Sequence, residues 1–394
     1  MKILLEDTIP FGKEYLGDLG QVTSYAWQTL KPEMLAGIDI LAVRSTTKVT
    51  PELLKSANTL QFVTTATAGT NHIDKRFLDS LDIAHNSAAG CNAIAVAEYV
   101  VSVLLHGHSE QKIDLTRATV GIVGAGNVGS ALSQRLTALG VNHLLCDPPL
   151  KDAGDPRDFV SLAEINQCDV ISLHVPFVKD GVHPTHNLIS DQFLATLTHS
   201  QLLINACRGE VVDEKALLNR LMQQDSPTVV LDVFDNEPRI NTTLFDHVWL
   251  VSPHIAGHSV EGKVRGTQII YEQICDVMGT SPHRQLSDFL SPVAPIRVTL
   301  NFPNNEQLQF DDLLAIFNQV YDISEDDKLT RYVLNGGASS VTLSDEEVAK
   351  QFASLRKKYR VRHECSAYTL QLTQQTSLPI QAQLKALGFD VLSV

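Results

Sequence analysis

The chain has 394 residues, a length that favours two or three domains. Its 44% hydrophobic and 19% charged residues are typical of globular proteins and exclude a disordered or collagen-like chain. The formal net charge of −14 argues against a nucleic-acid partner, because such binding needs clustered positive charge. No membrane segment or secretory signal is predicted, since the longest nearly apolar run, Ile94–Leu105, is short and the first residues soon turn acidic.

The six cysteines form no CxxC pair, so the sequence predicts no zinc cluster and no other metal site. Cysteines scattered in this way through a large chain are typical of buried, reduced thiols, which favours a cytoplasmic protein. They are Cys91, Cys146, Cys168, Cys207, Cys275 and Cys365.

Short apolar runs alternate with helical segments in the first hundred residues, where Pro51–Ala57 begins with a proline suited to a first helical turn. This alternation predicts βαβ units and a parallel sheet. We expect this domain to span residues 1–92 and to be joined by about 260–280, a helical segment that returns to it. The candidate strands are Lys2–Leu5, Ile38–Val43 and Leu60–Thr65.

A second and longer series of strands and helices is expected to form a domain at residues 93–259. The series predicts a doubly wound parallel sheet. The candidate strands are Thr119–Val123, Leu144–Cys146, Val170–Leu173, Leu202–Asn205, Val229–Val233 and Leu250–Ser252.

The composition changes near Gly279, where proline- and serine-containing linkers precede a smaller pattern. Residues 281–394 are predicted to form an α+β accessory domain, in which the basic run Arg356–Arg360 is interpreted as a solvated helix face. The candidate strands are Ile296–Phe302, Ser366–Leu372 and Val391–Val394, and the candidate helices are Gln307–Tyr321 and a segment from the capping box at Ser344 to Lys358.

A GxGxxG motif, from Gly124 through Gly126, Asn127 and Val128 to Gly129, lies between a predicted strand and a predicted helix. In this context the first glycine permits a tight turn, the second lets a pyrophosphate approach the backbone, and the third lets helix and strand pack closely. The motif therefore predicts a dinucleotide site.

Asp147 ends the next predicted strand, 18 residues after Gly129. A carboxylate at this position accepts hydrogen bonds from the adenosine ribose and repels a 2′-phosphate. We therefore expect NAD rather than NADP.

Three polar residues, Arg208, Glu237 and His254, directly follow predicted strands of the second series. Because the carboxyl ends of parallel strands meet at one crevice, we expect these side chains to converge. A histidine can take a hydroxyl proton while a hydride leaves the adjacent carbon, a carboxylate can stabilise the imidazolium, and an arginine can hold a substrate carboxylate. The trio predicts oxidation of a 2-hydroxy acid, with Asp232 near the nicotinamide side of the cofactor.

Several of these segments together resemble the D-isomer-specific 2-hydroxyacid dehydrogenases. The motifs that carry the resemblance are Val43–Thr47, Gly90–Ala93, Asn205–Gly209, Leu231–Pro238 and Ser252–Gly257. The resemblance implies an α/β protein with two doubly wound parallel-sheet domains, a flavodoxin-like substrate domain and a Rossmann NAD domain, followed by a C-terminal α+β dimerisation domain.

The resemblance also implies NAD as the cofactor, a small phosphorylated hydroxy acid as the substrate, and a homodimer formed through the C-terminal domain. It implies that Arg208 and Glu237 are active-site residues and that His254 is the acid/base. The remaining implied residues are Asp147, Asp232, Gly257 and Ala206–Arg208, which includes Cys207, at NAD, and Ser45 and Thr67 at the substrate.

Two positions depart from the family pattern. His258 stands where close relatives have tyrosine, and it can still donate to a substrate phosphate or hydroxyl. Val175 replaces a threonine at the cofactor, so any contact there is expected from its backbone. Arg44 is a candidate for the phosphate.

Two other functions stay open. One is another family member, such as a 3-phosphoglycerate dehydrogenase with a regulatory tail. The other is a binding protein that senses NAD(H) with the same fold and catalyses nothing.

Overall fold

The computed structural model describes residues 1–337 and 342–392. The chain forms two compact units, the first made of Met1–Asn92 with Ser259–Pro292 and the second of Ala93–His258 with Val293–Val394. Each unit is built around its own parallel sheet.

The first unit contains five parallel strands and the helices that cover them. The strands are β1 (Lys2–Glu6), β2 (Gln21–Tyr25), β3 (Ile40–Val43), β4 (Phe62–Thr65) and β5 (Ala84–Ser87), and the helices are α1 (Gly12–Leu16), α2 (Pro51–Leu54), α3 (Lys75–Ser80) and α10 (Val260–Met278). The strand order is β2-β1-β3-β4-β5. Because the order reverses between β1 and β3, the loops after these two strands frame the crevice where such sheets bind ligands.

The second unit contains a larger sheet of the same type. Its strands are β6 (Thr119–Val123), β7 (Asn142–Cys146), β8 (Val170–Leu173), β9 (Leu202–Asn205), β10 (Thr228–Leu231) and β11 (Leu250–Val251), and its helices are α4 (Ala93–Ser109), α5 (Asn127–Leu139), α6 (Pro148–Asp152), α7 (Leu162–Ile165), α8 (Asp191–Ala195) and α9 (Glu214–Leu221). The order β11-β10-β9-β8-β6-β7 reverses between β6 and β8. The central strands β8 and β9 are buried throughout, as expected of parallel strands covered on both faces.

The C-terminal residues add a small three-stranded parallel sheet to the second unit. Its strands are β12 (Ile296–Val298), β13 (Thr369–Leu372) and β14 (Asp390–Leu392), and its helices are α11 (Phe310–Val320), α12 (Ile323–Leu334), α13 (Asp345–Lys357) and α14 (Leu378–Ala386). Helix α11 packs on α4, and buried Arg362 donates to the carbonyls of Ala256 (3.0 Å) and Ala95 (2.7 Å). The C-terminal region is therefore anchored on α4 and on the loop after β11 that carries His254.

The predicted fold class is confirmed: two doubly wound parallel sheets precede a smaller C-terminal domain of helices and strands. The sequence does not predict β2 and β5, which lie at the two edges of the first sheet and are partly exposed and polar. The predicted strand Ile296–Phe302 is wrong beyond Val298, because the Asn301 N–H bonds to the Asp312 carboxylate instead of a neighbouring strand.

The predicted strand Val391–Val394 begins one residue early, at Asp390, and its last two residues lie outside the described part of the chain. All six cysteines are buried and free, as predicted. Within residues 1–337 and 342–392, the helices are too short or too polar to cross a bilayer.

Candidate active site

The glycine loop joins β6 to α5, at the point where the strand order reverses. Gly124 has a φ of +92°, and a Cβ there would lie 2.7 Å from the His174 carbonyl. A Cβ on Gly129 would lie 2.1 Å from the Gly124 oxygen, so only glycine permits this packing. A Cβ on Gly126 would meet no atom within 4 Å, so there is open space beside this residue at the N-terminus of α5. This cradle fits the pyrophosphate of a dinucleotide, because the N–H groups and dipole of the helix favour negative charge.

Asp147 is tied to this glycine loop at the end of β7. Its Oδ2 accepts from the Ala125 N–H (2.8 Å), and its Oδ1 accepts from the Leu150 N–H (3.0 Å), which caps α6. Arg157 reinforces the loop by donating to the Ala125 carbonyl (3.0 Å). The carboxylate thus lies beside the glycine loop at the end of β7, where the sequence analysis predicts ribose recognition.

Arg208 lies in a tight turn after β9 that the Asn205 side chain holds together. The Asn205 amide donates to the Arg208 carbonyl (2.9 Å), and its Oδ1 accepts from the Cys207 N–H (3.2 Å). A Cβ on Gly209 would lie 2.0 Å from the Phe234 backbone. Glycine is therefore needed for this turn to pack against the loop that follows β10.

The Arg208 side chain is not part of the histidine–glutamate pair. Its guanidinium donates to the Cys207 carbonyl, and within the described part of the chain no hydrogen bond or ion pair joins it to Glu237 or His254. Burial raises the pKa of the Cys207 thiol to about 11, so this group is neutral near pH 7.

His254 and Glu237, predicted from separate strand ends, are in direct contact. The His254 Nδ1 lies 2.7 Å from Glu237 Oε2, and Glu237 Oε1 accepts from the Phe234 N–H (3.1 Å). An ionised carboxylate can only accept, so Nδ1 carries a proton and the lone pair of the neutral ring lies on Nε2. The pair is therefore arranged for proton transfer at Nε2.

Asp232 fixes the loop that carries His254. Its Oδ1 accepts from the Ser252 hydroxyl (2.6 Å) and the Ile255 N–H (2.8 Å), its Oδ2 from the Ala256 N–H (3.0 Å), and its backbone carbonyl from the His254 N–H (2.7 Å). These bonds hold His254 at a φ of +55°, a conformation that is uncommon for residues other than glycine. Burial raises the pKa of Asp232, and the charge of His254 offsets only part of this rise.

Glu237 stays ionised although it is largely buried. Burial is the largest influence and acts to raise its pKa, but the hydrogen bond and charge of His254 and the charge of Arg356 outweigh it. The pKa of Glu237 therefore lies below its usual value. A negative charge consequently faces the ring and stabilises the imidazolium when it forms.

The basic run at the end of α13 is not one solvated face. Lys357 and Lys358 are exposed, as interpreted, but Arg360 pairs with Asp326 (3.3 Å) and Arg356 lies 3.7 Å from Glu237 Oε2. The interpretation is wrong for Arg356, which is half-buried, whereas Arg360 is exposed but lies beyond the end of the helix.

The other predicted residues of the second unit lie in loops and first turns after its strands. They are Asn127 and Val128 in the first turn of α5, Val175 after β8, Ala206 after β9, and Gly257 and His258 after β11. The His258 ring packs edge-on against Tyr359, with centroids 5.8 Å apart. His258, which stands where close relatives have tyrosine, thus contacts the C-terminal region.

In the first unit, Glu6 at the end of β1 organises the loop after β3. Its buried carboxylate accepts from the hydroxyls of Thr8 (2.8 Å), Thr46 (2.5 Å) and Thr47 (2.7 Å) and from the Arg44 N–H (2.8 Å). Burial acts to raise the pKa of Glu6, but these four hydrogen bonds together lower it below its usual value. The sequence analysis did not identify this carboxylate, because its partners are distant in sequence.

The loop held by Glu6 exposes Ser45 and carries a cation next to it. Arg44 is half-buried and donates to the Thr8 carbonyl (3.1 Å). Burial and the charge of Arg44 lower the pKa of Lys263, which lies in the first turns of α10. The sequence analysis did not identify Lys263 as a site residue, because it lies on a helix distant in sequence from Arg44.

Thr67 belongs to a short chain of polar side chains after β4. Its hydroxyl lies 2.8 Å from that of Thr65, which contacts His72 Nε2 at 3.0 Å. Burial lowers the pKa of His72 to about 4, so this ring is neutral at pH 7. The hydroxyl chain is therefore uncharged.

Comparison with known families agrees with this geometry. A model described as "D-isomer specific 2-hydroxyacid dehydrogenase, NAD binding domain" matches residues 97–256, and one described as a domain of unknown function (DUF3410) matches residues 291–388. The erythronate-4-phosphate dehydrogenase of Pseudoalteromonas atlantica is 44% identical over 99% of this chain and 100% of the relative. That of Marinobacter nauticus is 43% identical, again over 99% and 100%.

Solved structures share the fold of the first three quarters of the chain. A D-lactate dehydrogenase from Aquifex aeolicus, complexed with NAD and lactic acid, has a TM-score of 0.57 at 25% identity, covering 70% of this chain and 96% of that one. An NAD⁺-bound 3-phosphoglycerate dehydrogenase from Entamoeba histolytica has a TM-score of 0.60 at 23% identity, covering 71% and 95%. The latter supports the fold alone.

Proposed function

Because the chain belongs to the erythronate-4-phosphate dehydrogenases, within the D-isomer-specific 2-hydroxyacid dehydrogenases, we propose that it oxidises 4-phospho-D-erythronate for pyridoxal 5′-phosphate synthesis. The C2 hydroxyl loses its proton and C2 loses a hydride, which yields (R)-3-hydroxy-2-oxo-4-phosphobutanoate, NADH and a proton. The cofactor is NAD, which accepts the hydride when it is bound. The observation that carries the proposal is the 2.7 Å contact between His254 Nδ1 and Glu237 Oε2.

His254 takes the hydroxyl proton at Nε2 during oxidation and returns it during reduction. Glu237 holds the ring through Nδ1 and stabilises the imidazolium. Arg208 turns from the Cys207 carbonyl to the substrate carboxylate and C2 oxygen, where its planar donors fit both groups. These three residues carry the chemical step.

The substrate has two anionic groups and needs cations in its site. Arg44 and Lys263 are half-buried neighbours of like charge, a costly arrangement that a bound anion relieves. We assign them to the substrate anions, and we propose that Ser45, Thr67 and His258 bind the substrate through polar hydrogens.

The cofactor is proposed to lie along the carboxyl ends of the strands of the second unit. The residues proposed to bind it are Gly124, Gly126, Asn127, Val128, Gly129, Asp147, Val175, Ala206, Cys207, Asp232 and Gly257. Open space at Gly126 and the anchored carboxylate of Asp147 support this placement.

We propose a substrate domain of residues 1–92 with 260–280, an NAD domain of residues 93–259, and dimerisation through residues 281–394. Exposed apolar side chains of the C-terminal region, including Leu329, Val361 and Leu378, support a homodimer. The six buried free thiols support a cytoplasmic location.

The direct test compares NADH formation by the purified protein with 4-phospho-D-erythronate and with 3-phosphoglycerate. We expect kcat/KM to be at least about 100-fold higher for the former. A higher value for 3-phosphoglycerate would overturn the substrate assignment, and NADH binding without turnover of either acid would favour a sensing protein.

The anion assignment has its own test in Lys263→Met. Loss of one charge-assisted contact is expected to raise KM for 4-phospho-D-erythronate about 10-fold or more, with little change in kcat. Lys55→Met, at an exposed lysine of the same unit, is the matched control. An unchanged KM in Lys263→Met would remove this residue from the site.

A further inference from the structure

The geometry points to Arg356 as a residue that acts on the proton transfer through Glu237: its guanidinium moderates the negative charge that Glu237 presents to the His254 ring. This inference rests on the proposed function, since it concerns the same chemical step. It assigns a role in the reaction to the C-terminal region.

One carboxylate oxygen meets both cationic side chains. Glu237 Oε2 lies 2.7 Å from His254 Nδ1 and 3.7 Å from Arg356 Nη1. The first distance is a hydrogen bond and the second is an ion pair without one. Arg356 thus acts on Glu237 through charge, and the oxygen it attracts is the one that holds the histidine ring.

Helix α13 is fixed over the loop that carries Glu237. Phe352 of this helix is fully buried and packs edge-on against Phe234, with ring centroids 5.9 Å apart and an interplanar angle of 86°. Arg356 follows four residues later on the same helix face. Because Phe234 also donates its N–H to Glu237, the helix contacts both ends of the loop that positions the carboxylate.

The charges around the pair explain why a cation is useful there. Asp232, which directly follows β10, interacts with the charge of His254, and Asp235 precedes Glu237 in its own loop. Glu214 on α9 is a further carboxyl group nearby, and burial together with the charges of Asp235 and Glu237 raises its pKa to about 7. Arg356 approaches from α13 as the opposite charge.

Removing the charge of Arg356 should change the proton affinity of His254 in one direction. With Arg356 present, part of the field of Glu237 is neutralised, so the imidazolium is stabilised less. Without it, His254 holds its proton more tightly. Oxidation needs the neutral ring, so the acid limb of its pH–rate profile should move to higher pH. Reduction needs the protonated ring, so its alkaline limb should move the same way.

The test measures kcat/KM against pH in both directions for the full-length wild type, Arg356→Met, Arg356→Lys and Lys357→Gln. We expect both limbs of Arg356→Met to move up by about 0.5–1 pH unit, given the distance and partial exposure of the pair. Arg356→Lys should stay within about 0.3 unit of the wild type. Lys357→Gln removes the same charge from the next, exposed position and should shift neither limb.

A second readout requires no turnover. The ring resonance of His254, assigned by its loss in His254→Gln, is followed against pH in the apo wild type and Arg356→Met, and its midpoint should move upward in the variant. Arg356→Gln replaces Arg356→Met should the latter not fold. The proposal would be overturned if the resonance midpoint and the limbs of the pH–rate profiles did not move in Arg356→Met or Arg356→Gln. An equal shift in Lys357→Gln would overturn it as well.

The two proposals fail in distinguishable ways. A wild type that does not turn over 4-phospho-D-erythronate contradicts the proposed function, whereas the ring resonance still reports on Arg356. Turnover with an unmoved resonance contradicts the role of Arg356 alone.

Discussion

Each unit contains a buried carboxylate at the end of a strand that holds a functional loop, and the two carboxylates differ in charge balance. Glu6 in the first unit receives four donors, three of them hydroxyls, and its pKa is lowered despite burial. Asp232 in the second unit receives one hydroxyl and two N–H groups on its carboxylate, and burial raises its pKa.

The difference shows how the surroundings set the state of a buried acid. Hydroxyls can rotate to donate to Glu6, so its ionised form is well solvated within the protein. Asp232 is equally buried but receives one hydroxyl and two backbone N–H donors, and these do not outweigh the effect of burial on its pKa. The pKa of the carboxylate that holds the first loop is consequently lowered, and the pKa of the carboxylate that holds the His254 loop is raised.

The largest effect is expected from Asp232→Asn. An amide cannot accept at both atoms, so one of the Ser252, Ile255 or Ala256 donors loses its partner and the His254 loop loosens. We expect a loss of about 3 kcal/mol in the free energy of unfolding by urea. Asp246→Asn, at an exposed acid of the same unit, should change it by less than about 0.5 kcal/mol. Equal effects of the two variants would contradict the role given to Asp232.

A smaller effect, with a distinct pH dependence, is expected from Glu6→Gln. The folded-state pKa of Glu6 lies below its unfolded value of 4.5, so its stabilisation is complete above that pH and is lost as pH falls through the folded-state pKa. The deficit of Glu6→Gln should be about 2 kcal/mol at pH 7 and should narrow below pH 4.5.

The pH dependence of Asp232→Asn should have the opposite sign. The folded-state pKa of Asp232 is raised, so the wild type gains stability as pH falls through it and the deficit of the variant widens. Urea unfolding at several pH values measures both slopes, with Glu33→Gln as an exposed control for the first unit. Parallel slopes would show that the two carboxylates do not differ as described.

The smallest effect is expected from Thr47→Val, which keeps the side-chain shape. It removes one of the four donors to Glu6 and the partner of the Tyr25 hydroxyl (3.1 Å). We expect a loss of about 1 kcal/mol in the free energy of unfolding. A loss of unfolding free energy as large as that of Glu6→Gln would mean that the four hydrogen bonds to Glu6 do not contribute separately to stability.

Much of the fold follows from local pattern. The apolar strands β3, β4, β8 and β9 and the helix start at Ser344 are visible in sequence because burial and capping impose their own residue types. Strand β5 cannot be recognised in the sequence, since a polar strand at a sheet edge lacks the apolar pattern of a buried strand. Its place depends on pairing with β4, which local sequence does not encode.

The site divides in the same way. The glycine loop, His254 and Glu237 follow strands directly, so parallel topology predicts that they meet. Arg356 and Lys263 lie on helices distant in sequence from the groups next to them. Local sequence does not distinguish a charged helix residue that is solvated from one that is buried. Their placement depends on tertiary packing: Phe352 packs on Phe234 for the first, and α10 returns to the first unit for the second.

The most direct test of the catalytic claim is single-turnover NADH formation from 4-phospho-D-erythronate by the wild type and His254→Gln. We predict a rate lowered about 1,000-fold or more in the variant, with NADH affinity within about threefold of the wild type. A variant rate within tenfold of the wild type would show that His254 does not take the substrate proton.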